Sequence, residues 1–358
     1  MATRFLIFCP IGIQAGGVES LHQLCDGLNR INQEAMLVPL GKLRPPIADY
    51  FKYNAPIVEG VEFQSEDIVI FPEKLPRISR KFDLHIPKLV FIWWLSVDNA
   101  SHPLARSLED RTGNVHPAWL SNGFVKREDP VAWIQRMVAG IVYVFRTRLR
   151  STLMMFTNQK IEIATFPALS QSHYAQGFLR ERLGIDSLMM RDYVDSKEID
   201  EEVGQADKPV VLYNPYKGRE LTDIVIEMMP HCLFRPIRNM TRLEVSEALN
   251  AADLYLDLGH FPGRDRIPRE AIIQRCPVLL AKRGAGRNSF DFNVPETFKV
   301  DLSESEPLDV KDKIDRILES RDRASLELGE FRKSVMDDFD QLMTDIRIFI
   351  DHIARWNK

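Results

Sequence analysis

Ala251-Ala252-Asp253-Leu254-Tyr255-Leu256-Asp257, continuing through Pro262-Gly263-Arg264-Asp265-Arg266-Ile267-Pro268-Arg269-Glu270-Ala271 to Pro277-Val278-Leu279-Leu280, decides the fold. An apolar run with an aromatic residue precedes a Gly/Pro-rich loop. A short helical segment, with Pro268 preorganised for its first turn, ends before a second apolar run. The order is strand, loop, helix, strand, and open α/β sheets bind ligands outside the carboxyl ends of such strands. Arg264, Arg266 and Arg269 lie near a helix start, where free N–H groups and the dipole favour an anion. Glu270, at that start, is suited to accept hydrogen bonds from sugar hydroxyls. A nucleotide or sugar-phosphate site is expected here.

The same grammar extends to both ends. Residues 5–9 form a buried-type strand, and Val18, Leu21, Leu24, Cys25, Leu28 and Ile31 line one helical face. Strands are expected at 35–40, 67–71 and 89–93, and further ones at 160–165 and 188–190, with a helix over 172–183. Residues 98–150 read as an irregular elaboration. Glu198 to Lys208 is charged and poor in apolar residues, which makes it a linker. A second α/β half follows, with strands at 209–213, 232–235, 253–257 and 277–281 and helices at 220–229, 241–250 and 268–275. Residues 310–320 and 324–357 are expected to be helical. Met336, Phe339, Leu342, Met343, Ile346, Ile348, Phe349, Ile350 and Ile353 supply apolar positions for a last helix that spans two bodies.

A chain of 358 residues exceeds what one hydrophobic core normally holds. The predicted division is 1–197 and 198–337, with 338–358 either packing back on the first half or covering the second. A 45% hydrophobic and 27% charged composition is that of a globular protein. The net charge of −4 carries no electrostatic footprint for nucleic acid. Cys9, Cys25, Cys232 and Cys276 are far apart without paired spacing, and read as buried thiols of a reducing compartment. No run approaches the roughly 20 apolar residues of a membrane span, and the first apolar run is too short for a signal peptide. A cytoplasmic protein is expected.

Three motifs carry a family resemblance. Gly16-Gly17-Val18-Glu19, ahead of an amphipathic helix, resembles the Gly-Gly-Ala/Val-Glu opening of many GT-B glycosyltransferases. Tyr213-Asn214-Pro215-Tyr216-Lys217-Gly218 looks like the loop after the first strand of their second domain, which usually carries an arginine and a Lys-Gly pair. Asp253 to Ala281 is similar to the segment where the retaining, glycogen-synthase/sucrose-synthase-like clan sets two glutamates eight residues apart. The resemblance implies an α/β fold of two Rossmann-like domains facing a cleft, with a C-terminal helix crossing back to the first. Here Pro262 stands where the first glutamate belongs, and Asn214 replaces the arginine.

The resemblance implies a nucleotide-sugar donor on the second half, held by Asn214, Lys217, Gly218, Arg264, Arg266, Arg269 and Glu270, with Gly284 and Gly286 near the base or sugar. Gly16 and Gly17 let the donor diphosphate or an acceptor approach the helix start, or simply form a tight turn. Glu19 reads as an acid complementing the helix dipole. Lys217 is a solvated loop lysine or the charge that stabilises the leaving nucleotide without a metal; no Asp-x-Asp motif is present to hold one, so no metal or other cofactor is expected. Phe91-Ile92-Trp93-Trp94-Leu95-Ser96-Val97-Asp98-Asn99 suggests an acceptor wall, with Trp94 stacking on sugar, Asn99 donating hydrogen bonds and Asp98 as general base. His173 opens a later helix and joins that wall or is structural. Residues 136–156 combine an apolar run with four arginines and no acid, suiting an anionic membrane interface at the inner face or a core helix. Two functions remain: a metal-independent glycosyltransferase, retaining as the resemblance implies, acting on a glycan or lipid-linked acceptor, or a catalytically silent nucleotide- or sugar-binding protein of the same fold.

Overall fold

A computed structural model describes residues 3–41, 44–73, 83–97, 166–195, 198–199 and 207–356. The first half contains β1 (Arg4–Cys9), α1 (Gly16–Arg30), β2 (Glu34–Pro39), β3 (Ile68–Pro72), β4 (Leu89–Trp94), β5 (Ala168–Ser170), α2 (His173–Phe178) and β6 (Ser187–Met189). These strands form a sheet in the order β2-β1-β3-β4-β5-β6, with every pairing parallel. The second half contains β7 (Val210–Tyr213), α3 (Arg219–Met228), β8 (Leu233–Pro236), α4 (Arg242–Asn250), β9 (Leu254–Asp257), α5 (Arg266–Ile273), β10 (Val278–Ala281) and β11 (Lys299–Val300). Its sheet runs β11-β10-β9-β7-β8, again parallel throughout. Helices α6 (Pro307–Glu319), α7 (Arg321–Glu327), α8 (Gly329–Met336) and α9 (Asp338–Arg355) complete the chain.

Parallel strands covered on both faces read as continuous apolar runs, and β1, β3 and β4 do. Alternate residues feed two cores. Phe5, Ile7, Ile70, Phe91 and Trp93 join the α1 side, while Leu6, Phe8, Val69, Ile92 and Trp94 join the opposite side. The apolar stripe of α1 is buried from Val18 to Leu28.

The last helices change bodies. Leu328, Phe331 and Val335 belong to the second core. Past Asp337, Leu342, Met343, Ile346, Phe349 and Ile353 belong to the first, beside α1 and β1. Phe349 meets the rings of Phe5 and Phe91 edge-on, with centroids 6.2 and 5.0 Å away. Gly27 lets α9 approach α1, since a Cβ there would run into Ile346 Cδ1. The final helix therefore crosses back, as expected, but the predicted helix over 324–357 is three helices. Met336 and Ile348 face solvent and are not part of its buried stripe.

Other expectations shift by a few residues. The helix expected over 172–183 is regular only to Phe178 and closes with a wider π turn ending at Gly184. β5 was not anticipated, because three residues carry too little periodicity to read. The short strand β11 was missed for the same reason. The strand expected at 160–165 and the elaboration at 98–150 lie outside the described residues.

Truncating the buried Phe349 ring tests the crossing. Phe349→Ala should destabilise the protein by about 3–5 kcal/mol, the usual cost of removing a buried phenyl ring, as read from urea denaturation followed by the signal of the first half.

Candidate functional site

The helix starts that follow the strands of the two halves face each other, with Arg242 and Arg266 of the second half reaching Glu19 of the first. On the second-half wall, Gly218 adopts a left-handed conformation (φ 60°) and starts α3, which presents Lys217 just beyond β7. The Lys217 ammonium pairs with Asp265 and stands 5.7 Å from the centroid of the Phe261 ring. Asp265 occupies the N-cap of α5 yet caps nothing; its carboxylate turns to Lys217 instead. Burial pushes the Asp265 carboxyl up, against the pull of Lys217.

Beneath this pair lies Asp257, fully buried at the end of β9. It accepts hydrogen bonds from the Tyr255 hydroxyl (3.0 Å), the Gly259 N–H (3.0 Å) and the Asn214 side-chain amide (3.2 Å). Burial raises its pKa to about 6, and Lys217 opposes the shift. Asn214 thus braces an aspartate below the loop, and Lys217 is already matched by carboxylates.

Helix α5 begins at Arg266, two residues before Pro268, so Pro268 and Glu270 lie inside its first turns rather than at its first position. Glu270 keeps 14% of its side chain exposed and stands 3.4 Å from Arg266 Nε. Arg266 reaches across to Glu19 of α1. Gly16 makes room for it, because a Cβ there would sit 3.1 Å from Arg266 Cδ. Gly17 packs on Leu95. Glu19 is fully buried. It accepts from Tyr53 Oη at 2.6 Å and Arg242 Nη1 at 2.7 Å, with Lys52 3.9 Å away. Burial raises its pKa, but the Arg242 hydrogen bonds and the charges of Arg266 and Arg242 outweigh it and hold the carboxyl below its ordinary value. Glu19 is therefore an ionised tie between the halves, and not merely a complement to the dipole.

The remaining two arginines of the loop point away from the crevice. Arg269 is 0% exposed; its Nη2 donates to both carboxylate oxygens of Asp192 (3.0 and 2.9 Å) and to the Arg264 carbonyl (2.8 Å). Its Nη1 reaches Asp338 at 3.1 Å. Arg264 donates to Asp338 at 2.8 Å. Both belong to the buried junction between the halves, so the expected phosphate cluster of three arginines is not assembled. Spacing brought them to one loop; Asp338 and Asp192 then hold Arg264 and Arg269 in the junction, while Glu19 draws Arg266 across.

On the first-half wall, Trp94 is 1% exposed and fills the core with Phe8 and Val97, which leaves no face for a sugar. Trp93 is buried on the other side of the sheet and donates to the Met190 carbonyl at 3.1 Å. His173 opens α2 at the junction. Its N–H and that of Tyr174 donate to Asp291 at 2.7 and 2.8 Å, and its ring lies 5.1 Å from that of Phe290. Burial lowers the His173 pKa. Asp98, Asn99 and the 136–156 segment lie outside the described residues. Gly284 and Gly286 press their backbone against Phe261, and the Ala285 N–H donates to the Phe261 carbonyl at 2.9 Å. Among the described residues no cluster of three His, Cys, Asp or Glu side chains is set to hold a metal. Among the same residues no helix is long and apolar enough to cross a membrane. All four cysteines are unpaired and buried.

Sequence reading missed Asp192, Arg242, Asp257, Asp265, Asp291 and Asp338. Asp257 and Asp265 flank the loop that was read for its arginines, and a charge count of that stretch would have flagged them. The others are isolated acids and bases whose partners lie far away along the chain.

No protein-family model matches the chain, and no curated protein matches its sequence. Solved structures do match it in shape. Sucrose-phosphate synthase from Thermosynechococcus elongatus superposes with a TM-score of 0.58 at 12% identity, over 99% of this chain and 100% of that one. A glycosyltransferase from Rickettsia africae gives 0.57 at 12% identity, over 98% and 97%. The N-terminal domain of trehalose-6-phosphate phosphatase from Candida albicans gives 0.57 at 10%, over 99% and 97%. The chain has a GT-B glycosyltransferase-like fold: two parallel α/β halves across a crevice, with the last helix returning to the first.

Asp257 generates a pH prediction. Its folded pKa of about 6 lies above the ordinary 3.8, so its contribution is fully present below about pH 4 and is lost as pH rises through 6. The stability of Asp257→Asn relative to wild type should therefore be lowest near pH 4 and should rise by up to roughly 3 kcal/mol above pH 6, the value of about two pKa units. Denaturation midpoints measured across that range read the difference.

Proposed function

We propose that this protein is a glycosyltransferase that moves a sugar from a nucleotide-sugar donor to a glycan or lipid-linked acceptor. One observation carries the reading. Lys217 and Glu270, which the resemblance assigns to phosphate and ribose, both keep part of their side chains exposed, Lys217 in the loop after β7 and Glu270 in the first turns of α5 after β9. Two of the matching structures are named for sugar chemistry of this kind, a glycosyltransferase and a sucrose-phosphate synthase.

The donor would lie on the second half, its diphosphate at Lys217 and the start of α5, its ribose at Glu270, and its base or sugar at the loop of Gly284 and Gly286. Arg264 and Arg269 are left out of this set because both are buried in the junction and paired there with Asp338 and Asp192. For Lys217 to meet phosphate it must exchange Asp265 for the ligand. Once there, its charge stabilises the negative charge that grows on the leaving nucleotide, so the reading requires no metal. The first half would offer the acceptor Asp98, Asn99 and His173, with Asp98 as base. Apposed halves exclude water and limit hydrolysis of the donor. Retention of configuration is the outcome expected of a clan with Glu270 in this loop, and the loss of the first glutamate at Pro262 leaves inversion as the alternative. The basic, apolar 136–156 segment suits contact with an anionic inner membrane face, where a lipid-linked acceptor is met, in a cytoplasmic protein.

A second reading, a silent nucleotide- or sugar-binding protein, is favoured by a specific observation: Lys217 is already neutralised by Asp265 beside a second aspartate. A thermal-shift screen over UDP, GDP, ADP, CMP and TDP separates ligand binding from an inert scaffold. One nucleotide should raise the melting temperature and the others little, because a ligand bound only to the folded state stabilises it. No shift with any of them refutes the transferase and leaves only the sugar-binding form of the second reading.

Glu270→Ala should lower transfer roughly tenfold or more in kcat/KM with folding intact; near-normal turnover removes Glu270 from the site. Lys217→Ala should weaken binding of the nucleoside diphosphate by about 1–3 kcal/mol while leaving the nucleoside alone unaffected. An unchanged ratio of the two affinities by calorimetry removes Lys217 from the phosphates.

A further inference from the structure

Glu19 and Arg266 meet across the crevice in a way that the assignment of Glu270 to the donor does not explain. Arg242 and Arg266 are the first helical residues of α4 and α5, on the second half, and both guanidinium groups end on one carboxylate of the first half. That carboxylate is held from its own side by Tyr53, whose hydroxyl donates to it at 2.6 Å. Tyr50 supports the approach: its ring lies under Arg242, 5.4 Å from the guanidinium carbon, and its hydroxyl bonds the Ala15 backbone at 3.2 Å. Gly16 leaves the gap through which the Arg266 stem passes. Arg266 therefore touches Glu19 with one end of its guanidinium and faces Glu270 with Nε.

We propose that Glu19, through Arg266, is the positioning element of the site: it clamps the two halves together and aims the Glu270 carboxylate. The proposal rests on the reading of Glu270 given above. A planar guanidinium suits this task, because its donors diverge in fixed directions and can serve two carboxylates at once, which an ammonium on a flexible stem does not do with the same geometry. Burial makes the tie strong in one direction only. Removing Glu19 leaves Arg266, only 13% exposed, with Glu270 alone, while the more exposed Arg242 keeps Asp49. Glu19 also stays ionised, since its arginine partners outweigh the effect of burial. The aim of Glu270 is thereby tied to the apposition of the halves, because its orienting group is itself held by the other half.

Three variants test this on the full-length protein, with radius of gyration from small-angle scattering and steady-state kinetics as readouts. Glu19→Gln should expand the unliganded protein, with circular dichroism unchanged, and raise KM for the nucleotide sugar roughly tenfold or more. Arg266→Lys retains the charge facing Glu19 but loses the fork. It should keep the wild-type radius and lower kcat/KM by roughly tenfold. Arg323→Ala, at an exposed pair on α7, should match wild type in both. Should Glu19→Gln fail to fold, Arg266→Lys still decides. Wild-type kinetics in Arg266→Lys overturns the aiming role, and a wild-type radius in Glu19→Gln overturns the clamp. If Glu270→Ala is itself silent in transfer, the donor reading fails instead, and the scattering alone judges the clamp.

Discussion

A guanidinium with no access to water is the constraint around which the two halves are arranged. Burying an unpaired cation costs several kcal/mol, and the cost is offset only when its donors find well-placed acceptors. Arg269 finds them in Asp192, in the chain leaving β6, in Asp338, where the last helix turns back, and in the Arg264 and Asp265 carbonyls of its own loop. These come from three segments far apart in sequence. Satisfying one side chain therefore requires that the connector, the start of α5 and the return of α9 be together. Arg191, next to Asp192 and partly exposed, adds a bidentate pair to the buried Asp345 of α9 at 2.8 and 2.7 Å.

The crevice follows from this junction. With Arg269 drawn inward, the exposed side of α5 is left to Arg266 and Glu270, and Arg266 reaches the other half at Glu19. Lys217 stands beside two aspartates, Asp257 and Asp265, so this wall offers no net positive field. An anionic ligand must displace an existing ion pair there rather than fill an empty one. Such exchange suits discrimination, because a ligand that does not replace every bond it breaks leaves buried charges unmatched.

Much of the architecture was legible in the chain. Apolar runs of four to six residues marked β1, β3, β4, β7, β9 and β10, and helical spacing marked α1 and the stripe of α9. The return of α9 to the first half was implied by the family resemblance, and its long apolar stripe fits that path. Trp94 was misread because a strand end shows alternation but not which face is covered; the opposite core claims it. The three arginines were misread together for a similar reason. A cation near a helix start favours any anion, and nothing in its own loop says whether that anion is a phosphate or an aspartate seventy residues away.

The amino-acid sequence by itself determined the order of strands and helices, the two parallel sheets and the loops that carry Lys217 and Glu270, because these depend on local periodicity and on residues a few positions apart. Only the tertiary structure decided which charges meet: Glu19 with Arg242 and Arg266, Arg269 with Asp192 and Asp338, Lys217 with Asp265. The physical reason is that a buried charge must be matched but not by any particular neighbour, so its partner is chosen by the packing of whole elements and leaves no trace in spacing.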